Sequence, residues 1–146
     1  MTIIHSATEL AIVAYLAFLA VYDIRYKRVT DKSLIFFLPI ILLNCTLTVF
    51  CGSLLDLISM LVGAAAGFGI LLVTAMLTNG GIGGGDIKLA GVLGLATGIT
   101  GMCVMLTVAS LAAVVYGAIY NKRKKTAIRI PFVPFMAVGY LITLII

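Results

Sequence analysis

The chain has 146 residues, of which 63% are hydrophobic and 10% charged, with no tryptophan and a formal net charge of +5. That balance is too apolar for a soluble domain of this size and points to an all-α, polytopic integral membrane protein. Nucleic-acid binding is excluded as the reading of the positive charge, which fits membrane topology and attraction to anionic lipid headgroups instead.

An apolar run of about 17 residues or more is long enough to cross the roughly 30 Å hydrocarbon core as a helix. Ser6 to Tyr22 is the first such run, interrupted only by Glu9, where the start of a helix favours an anion. Met1 to Glu9 has no basic leader region, and Tyr22-Asp23 is no small-residue cleavage site, so this segment reads as retained and not as a signal peptide. His5 reads as part of a solvated terminus. Leu34 to Phe50 is the second run, with Pro39 tolerable inside it.

Leu54 to Leu77 is the third. Ser53-Leu54-Leu55-Asp56 has the spacing of a capping box that opens it. Gly63, Gly67 and Gly69 give it a small face on which another helix can pack closely. Leu89 to Ile99 is a fourth segment, short, and preceded by the glycine-rich stretch Asn79 to Gly85. Met102 to Tyr120 and Ile130 to Ile146 complete the set.

The ten lysines and arginines decide whether the short segment crosses. Arg25, Lys27, Arg28 and Lys32 lie between segments one and two, Lys88 between three and four, and Lys122, Arg123, Lys124, Lys125 and Arg129 between five and six. About six transmembrane helices, with both termini external, put every base on the cytoplasmic side, as basic loops require. Extramembrane loops are then short, and residues 1–146 form one membrane-embedded domain. Cys45, Cys51 and Cys103 form no C-x-x-C pair, so neither a zinc site nor a disulfide framework is expected, and no metal or other cofactor is called for.

Five acidic residues remain. Asp56 is explained by its capping box and Glu9 by its helix start. Asp31, among Lys27, Arg28 and Lys32, reads as a solvated residue or the N-cap of the second helix. Asp23 sits at a helix C-terminus, where the dipole disfavours a negative charge, so something else must hold it there. A salt bridge to Arg25, Lys27 or Lys88 is the plain explanation.

Asp86 ends the glycine run. From Asp86 to Thr100, a helix rising about 1.5 Å per residue covers roughly 22 Å, short of the hydrocarbon thickness, so the glycines are expected to dip below the membrane surface. Non-helical backbone at that depth needs protein or a water-filled cavity around it. An ionisable residue there is a functional candidate. Asp23 and Asp86 share one membrane face. If they meet, one carboxyl keeps its proton while the other ionises, a pair able to activate water for attack on a peptide carbonyl.

These residues resemble a known family. Gly83-Gly84-Gly85-Asp86-Ile87-Lys88 resembles the GxGD-x-K motif of the prepilin peptidases, aspartic proteases of the membrane, in particular the short form serving Flp/Tad-type pilus systems. Asp23, followed by a basic loop, resembles the family's first catalytic aspartate, and Ile130-Pro131-Phe132-Val133-Pro134-Phe135 resembles the signature that opens its last helix.

The resemblance implies an aspartic endopeptidase at the cytoplasmic membrane of a prokaryote, its site facing the cytoplasm, that removes the basic leader from prepilin-like substrates. It implies Asp23 and Asp86 as the catalytic pair, Gly83 and Gly85 as residues shaping the loop, and Lys88 as its support. Where many members have Ile-Pro-Asn after the first aspartate, this chain has Val29-Thr30-Asp31, which leaves Asp31 as an alternative first acid. No counterpart of the longer members' cysteine-rich domain occurs, so cleavage without N-methylation is expected.

A prepilin leader is itself basic, so the loop at Lys122 to Lys125 is expected to fix topology and bind lipid. The substrate's apolar helix is expected to dock among the small residues of segments three and four. The alternative from another class is a small transporter or channel with an aspartate-based ion or proton site, which calls for carboxylates near the midplane.

Overall fold

The computed structural model describes residues 2–26, 31–78, 82–121 and 131–145. Five helical elements account for them: α1 (Thr2–Tyr26), α2 (Asp31–Cys51), α3 (Leu54–Leu77), α4 (Gly84–Asn121) and α5 (Val133–Thr143). No strand occurs among the described residues. Four stretches are long and apolar enough to cross a membrane, namely Ser6–Tyr26, Ser33–Phe50, Leu54–Leu77 and Gly84–Gly117. The expected count of six is not reached by that measure. Segments four and five form one element, and the described helix of segment six covers only Val133–Thr143.

α4 is nevertheless broken where the sequence suggested, within a few residues. Gly98 takes φ 66° and ψ −174°, a conformation open to glycine and strained for other residues. A Cβ at Gly98 would also lie 2.7 Å from Ser59 Oγ. That hydroxyl accepts a hydrogen bond from the Ile99 amide at 3.2 Å, so the donor released by the break is satisfied from α3.

Beyond the break the chain doubles back. Gly67 of α3 lies against Ala90 on the first arm of α4 and also against Met102 on the second, which requires the two arms to run in opposite directions. Gly63 lies against Gly94 and Gly98. The second arm then packs on α5, with Met105 against Gly139 and the Tyr116 and Phe135 rings 5.7 Å apart.

The small faces of α3 and α4 are therefore filled by each other. A Cβ on Gly63 would come within 2.5 Å of the Gly98 backbone. This corrects the expectation that a substrate helix docks there: the glycines serve the close approach of two helices of the same chain. Gly69 has nothing within 4 Å of where its Cβ would be, so its part in the small face is not realised.

Each helix divides sharply between an inner and an outer face. On α2, Phe36 is 73% exposed while Phe37 beside it is fully buried and stacks on Tyr15 of α1 at 4.9 Å. Leu16, Leu19, Ile41, Leu93, Met105 and Met136 fill the interior, whereas Ile35, Val73 and Val114 face outward. Apolar outer faces suit hydrocarbon surroundings, where burial between helices gains little and fit decides the packing. One buried polar pair, Asn44 Nδ2 donating to Thr8 Oγ1 at 3.0 Å, ties α2 to α1.

Local pattern accounts for Asp56 and fails for Glu9. Asp56 behaves as expected: its Oδ2 accepts a 2.7 Å hydrogen bond from the Ser53 amide at the start of α3. Glu9 does not, because α1 begins at Thr2 and its first turn holds no acid. It lines a cavity of about 390 Å³ with Asn44, Thr97 and Tyr140, beside the reversal in α4.

Candidate active site

The packing partners place both candidate carboxylates at one end of the bundle. α5 runs antiparallel to α1, so that Val133 meets Asp23 while Tyr140 and Leu141 lie with Val13 and Ala17. The second arm of α4 runs antiparallel to α5 and the first arm antiparallel to α3. The start of α4, with Asp86, therefore returns to the end where α1 finishes and α5 begins.

Asp23 lies in the last turn of α1 and continues its buried stripe. Leu16, Leu19 and Ala20 precede it by seven, four and three positions, which keeps all four on one helix face, and Asp23 is itself only 3% exposed. Its Oδ2 accepts a hydrogen bond from the Val133 amide at 3.2 Å, and the Phe132 amide is also directed at the carboxylate. This answers what holds a negative charge at the wrong end of α1. The N-terminus of α5 offers unpaired amides and the positive end of its dipole.

The motif Pro131-Phe132-Val133-Pro134 now has a physical reading. The prolines on either side have no N–H, and the two amides between them serve the carboxylate. The Phe132 carbonyl accepts from Phe135 and Met136 at 3.1 and 3.2 Å, so the turn that presents those amides is itself closed. The Val133 amide was missed in the sequence because a backbone donor has no side-chain signature. The flanking prolines were its only signal.

Asp86 lies in the first turn of α4. The helix starts earlier than expected, at Gly84, so Gly85 belongs to the first helical turn and not to a loop. Gly83 precedes the helix, and its carbonyl accepts from the Asp86 and Ile87 amides at 3.1 and 3.3 Å. A Cβ on Gly83 would lie 3.3 Å from Asp86 Oδ2, so glycine there leaves room for the carboxylate to sit over the start of its own helix. Asn79, Gly80 and Gly81, the rest of the expected glycine loop, lie outside the described residues.

Ala90 and Leu93, four and seven positions after Asp86, are fully buried. Asp86 therefore heads the inward stripe of its arm as Asp23 ends that of α1. α2 and α5 each pack on both α1 and α4, yet among the described residues no Cα of α1 lies within 8 Å of a Cα of α4. The two carboxylates stand on diagonal helices at the same end, separated by more than 8 Å between their α-carbons.

Lys88 is exposed on the outer side of the arm. Asp31 is the first residue of α2, and its side chain lies outside the described residues, as do those of Lys27, Arg28 and the cluster from Lys122 to Arg129. Among the described residues no three histidines, cysteines or acids come together as a metal site.

Fold and site together define a multi-pass helical membrane protein with two inward carboxylates at one end of the bundle. The type IV leader peptidase family matches residues 10–118, and the chain belongs to that family. It is 36% identical over 137 residues to a prepilin leader peptidase/N-methyltransferase of Bacillus subtilis, covering 87% of this chain and 50% of the relative. It is 31% identical over 132 residues to a prepilin leader peptidase/N-methyltransferase of Escherichia coli, covering 86% of this chain and 57% of the relative. The chain thus spans about half the length of the curated relatives it matches. No solved structure matches it.

Proposed function

We propose that this chain is a membrane aspartic endopeptidase that removes the leader peptide from prepilin-like substrates, with Asp23 and Asp86 as its catalytic pair. The observation that carries this reading is the shared position of the two carboxylates, each heading or ending a buried helix face at the same end of the bundle. Family membership supports it, as do the names of the two bacterial relatives. Residues 1–146 act in it as one membrane-embedded unit.

The chemistry follows from the environments. The ionised carboxylate takes a proton from a water molecule as that water attacks the scissile carbonyl, and the protonated carboxyl donates to the leaving amine. Asp23, held by the amides of α5, is the more rigidly placed of the two. Asp86 is only half buried at the start of its arm, and the substrate backbone enters between them. The separation across the diagonal leaves room for water and peptide before the reacting groups close up. Arg25, Lys32 and Lys88 lie at the same end, and that distribution of basic residues supports reading it as the cytoplasmic side.

A transporter would place its carboxylates in the middle of the membrane, whereas Asp23 and Asp86 lie in a last and a first helical turn. The test is coexpression of the chain with a Flp-type prepilin, followed by mass spectrometry of the pilin. Wild type removes the leader, Asp23→Asn and Asp86→Asn do not, and Asp31→Asn does. Cleavage that survives Asp86→Asn rejects the aspartic mechanism. Loss with Asp31→Asn in place of Asp23→Asn moves the first acid.

A further inference from the structure

At the end of the bundle opposite Asp23 and Asp86, the reversal of α4 borders a cavity of about 390 Å³. Its wall takes Glu9 from the first half of α1, Asn44 from the second half of α2, Thr97 and Thr100 from either side of the break, and Tyr140 and Thr143 from the end of α5. We infer that this cavity is a water site, filled from that side of the membrane, whose water completes the hydrogen bonding of the break at Gly98. The site is independent of the peptidase reading, because none of these residues belongs to the catalytic end.

The backbone of the break calls for water here. The Ile99 amide donates to Ser59 Oγ, whereas in an unbroken helix it would go to the Leu95 carbonyl. An acceptor is thereby released in the turn whose next residues, Ala96 and Thr97, line the cavity. The Thr97 hydroxyl already donates to the Leu93 carbonyl at 3.1 Å. Hydrocarbon supplies no donors, and non-helical backbone at membrane depth persists only beside protein or water. The cavity meets the requirements of water in size and in chemistry. It is far larger than the roughly 15 Å³ that one molecule needs, and its wall carries a carboxylate, an amide and several hydroxyls, where a cavity that stays empty is apolar. The same rule separates it from the cavity of about 50 Å³ between α1 and α5, whose wall is aliphatic apart from Tyr140 and which is expected to stay dry.

Water at this end shortens the dry part of the bundle. Leu16 lies midway between Glu9 and Asp23 and is fully buried, as is Leu93, seven positions after Asp86. From Glu9 to Asp23 the helix rises about 21 Å, so the closed layer around Leu16 and Leu93 is thinner than the roughly 30 Å of hydrocarbon.

The test is cysteine labelling of the full chain in membrane vesicles of both orientations, with the three native cysteines replaced by alanine. A thiol reacts with a charged, membrane-impermeant reagent as its thiolate, which forms in water and is suppressed in apolar surroundings. Ala96 and Val104 line the cavity, and Val104 stands about 9 Å beyond Gly98 along the second arm. Ala65 is the control. It is exposed on the outer face of α3, between Gly63, which meets Gly98, and Gly67, which meets Met102, and so lies at comparable depth. Ala96→Cys and Val104→Cys are expected to react at least about tenfold faster than Ala65→Cys, since they alone would meet water. Adding Thr100→Trp, which narrows the cavity from an exposed position, should slow Val104→Cys several-fold. Val104→Cys should also react in the vesicle orientation in which Arg25→Cys does not. Rates at Ala96→Cys and Val104→Cys no higher than at Ala65→Cys overturn the proposal, and so does labelling of Val104→Cys from the same side as Arg25→Cys.

Discussion

Asp23 and Asp56 each accept a hydrogen bond from a backbone amide beside a helix start, but the amides lie at very different distances along the chain. Asp56 is exposed and takes the Ser53 amide three residues before it, serving the helix it stands in. Asp23 is buried and takes the Val133 amide, 110 residues away, across two helices that have no local connection. The first arrangement forms wherever a short sequence pattern occurs. The second exists only in the assembled bundle and holds a charge away from water, an arrangement costly enough to be expected at a functional site.

The sharpest way to break that comparison is to remove the charge from each acid in turn. Asp23→Asn and Asp86→Asn should each lower leader removal by at least about 100-fold, the low end of what a positioned acid or base contributes. Membrane content of the variants should stay near wild type by immunoblot. Full cleavage by Asp23→Asn would reduce Asp23 to a structural tie of the same kind as Asp56.

A comparison within α3 comes next. Gly63→Val forces side-chain atoms into the Gly94 and Gly98 backbone and should destabilise the bundle by at least the 1–3 kcal/mol typical of overpacking, read as a lower thermal-aggregation midpoint in detergent. Gly69→Ala meets open space and should leave that midpoint unchanged or slightly raised.

Gly83 and Gly84 give a finer contrast. Gly83→Ala crowds Asp86 Oδ2 and should slow cleavage several-fold, whereas Gly84→Ala meets nothing within 4 Å and should cleave at the wild-type rate. Equal rates would separate Gly83 from the working of Asp86. The smallest effect belongs to Asp56→Ala, which should cost about 1 kcal/mol of stability, as loss of a cap does, with cleavage rates unaltered.

Local rules made much of this molecule legible. Hydropathy located the apolar segments, S-x-x-D located the cap at Asp56, and the distribution of the bases called for a reversal between Ile99 and Met102, close to the break at Gly98. The site was legible only as residue types at motif spacing. Nothing in the order of residues revealed that Val133 would supply an amide to Asp23, because that contact depends on how three helices pack.

The same limit explains the misreading of Glu9, whose surroundings come from α2, α4 and α5 and not from its own helix. It also explains why the small residues of segments three and four read, in the sequence, as a docking surface for a substrate helix. A small-residue face shows that something packs closely, while the identity of the partner is a tertiary fact.

The break at Gly98 controls the parity of the chain. A straight α4 of 38 residues would be about 57 Å long, nearly twice the hydrocarbon thickness of about 30 Å, and would deliver the chain to the opposite side of the membrane. α5 would then start on that side, and its first amides would be a full membrane thickness from Asp23. One residue with a left-handed φ thus sets whether the number of passages between Asp86 and Val133 is even, and only an even number lets the two ends of the motif series share a compartment.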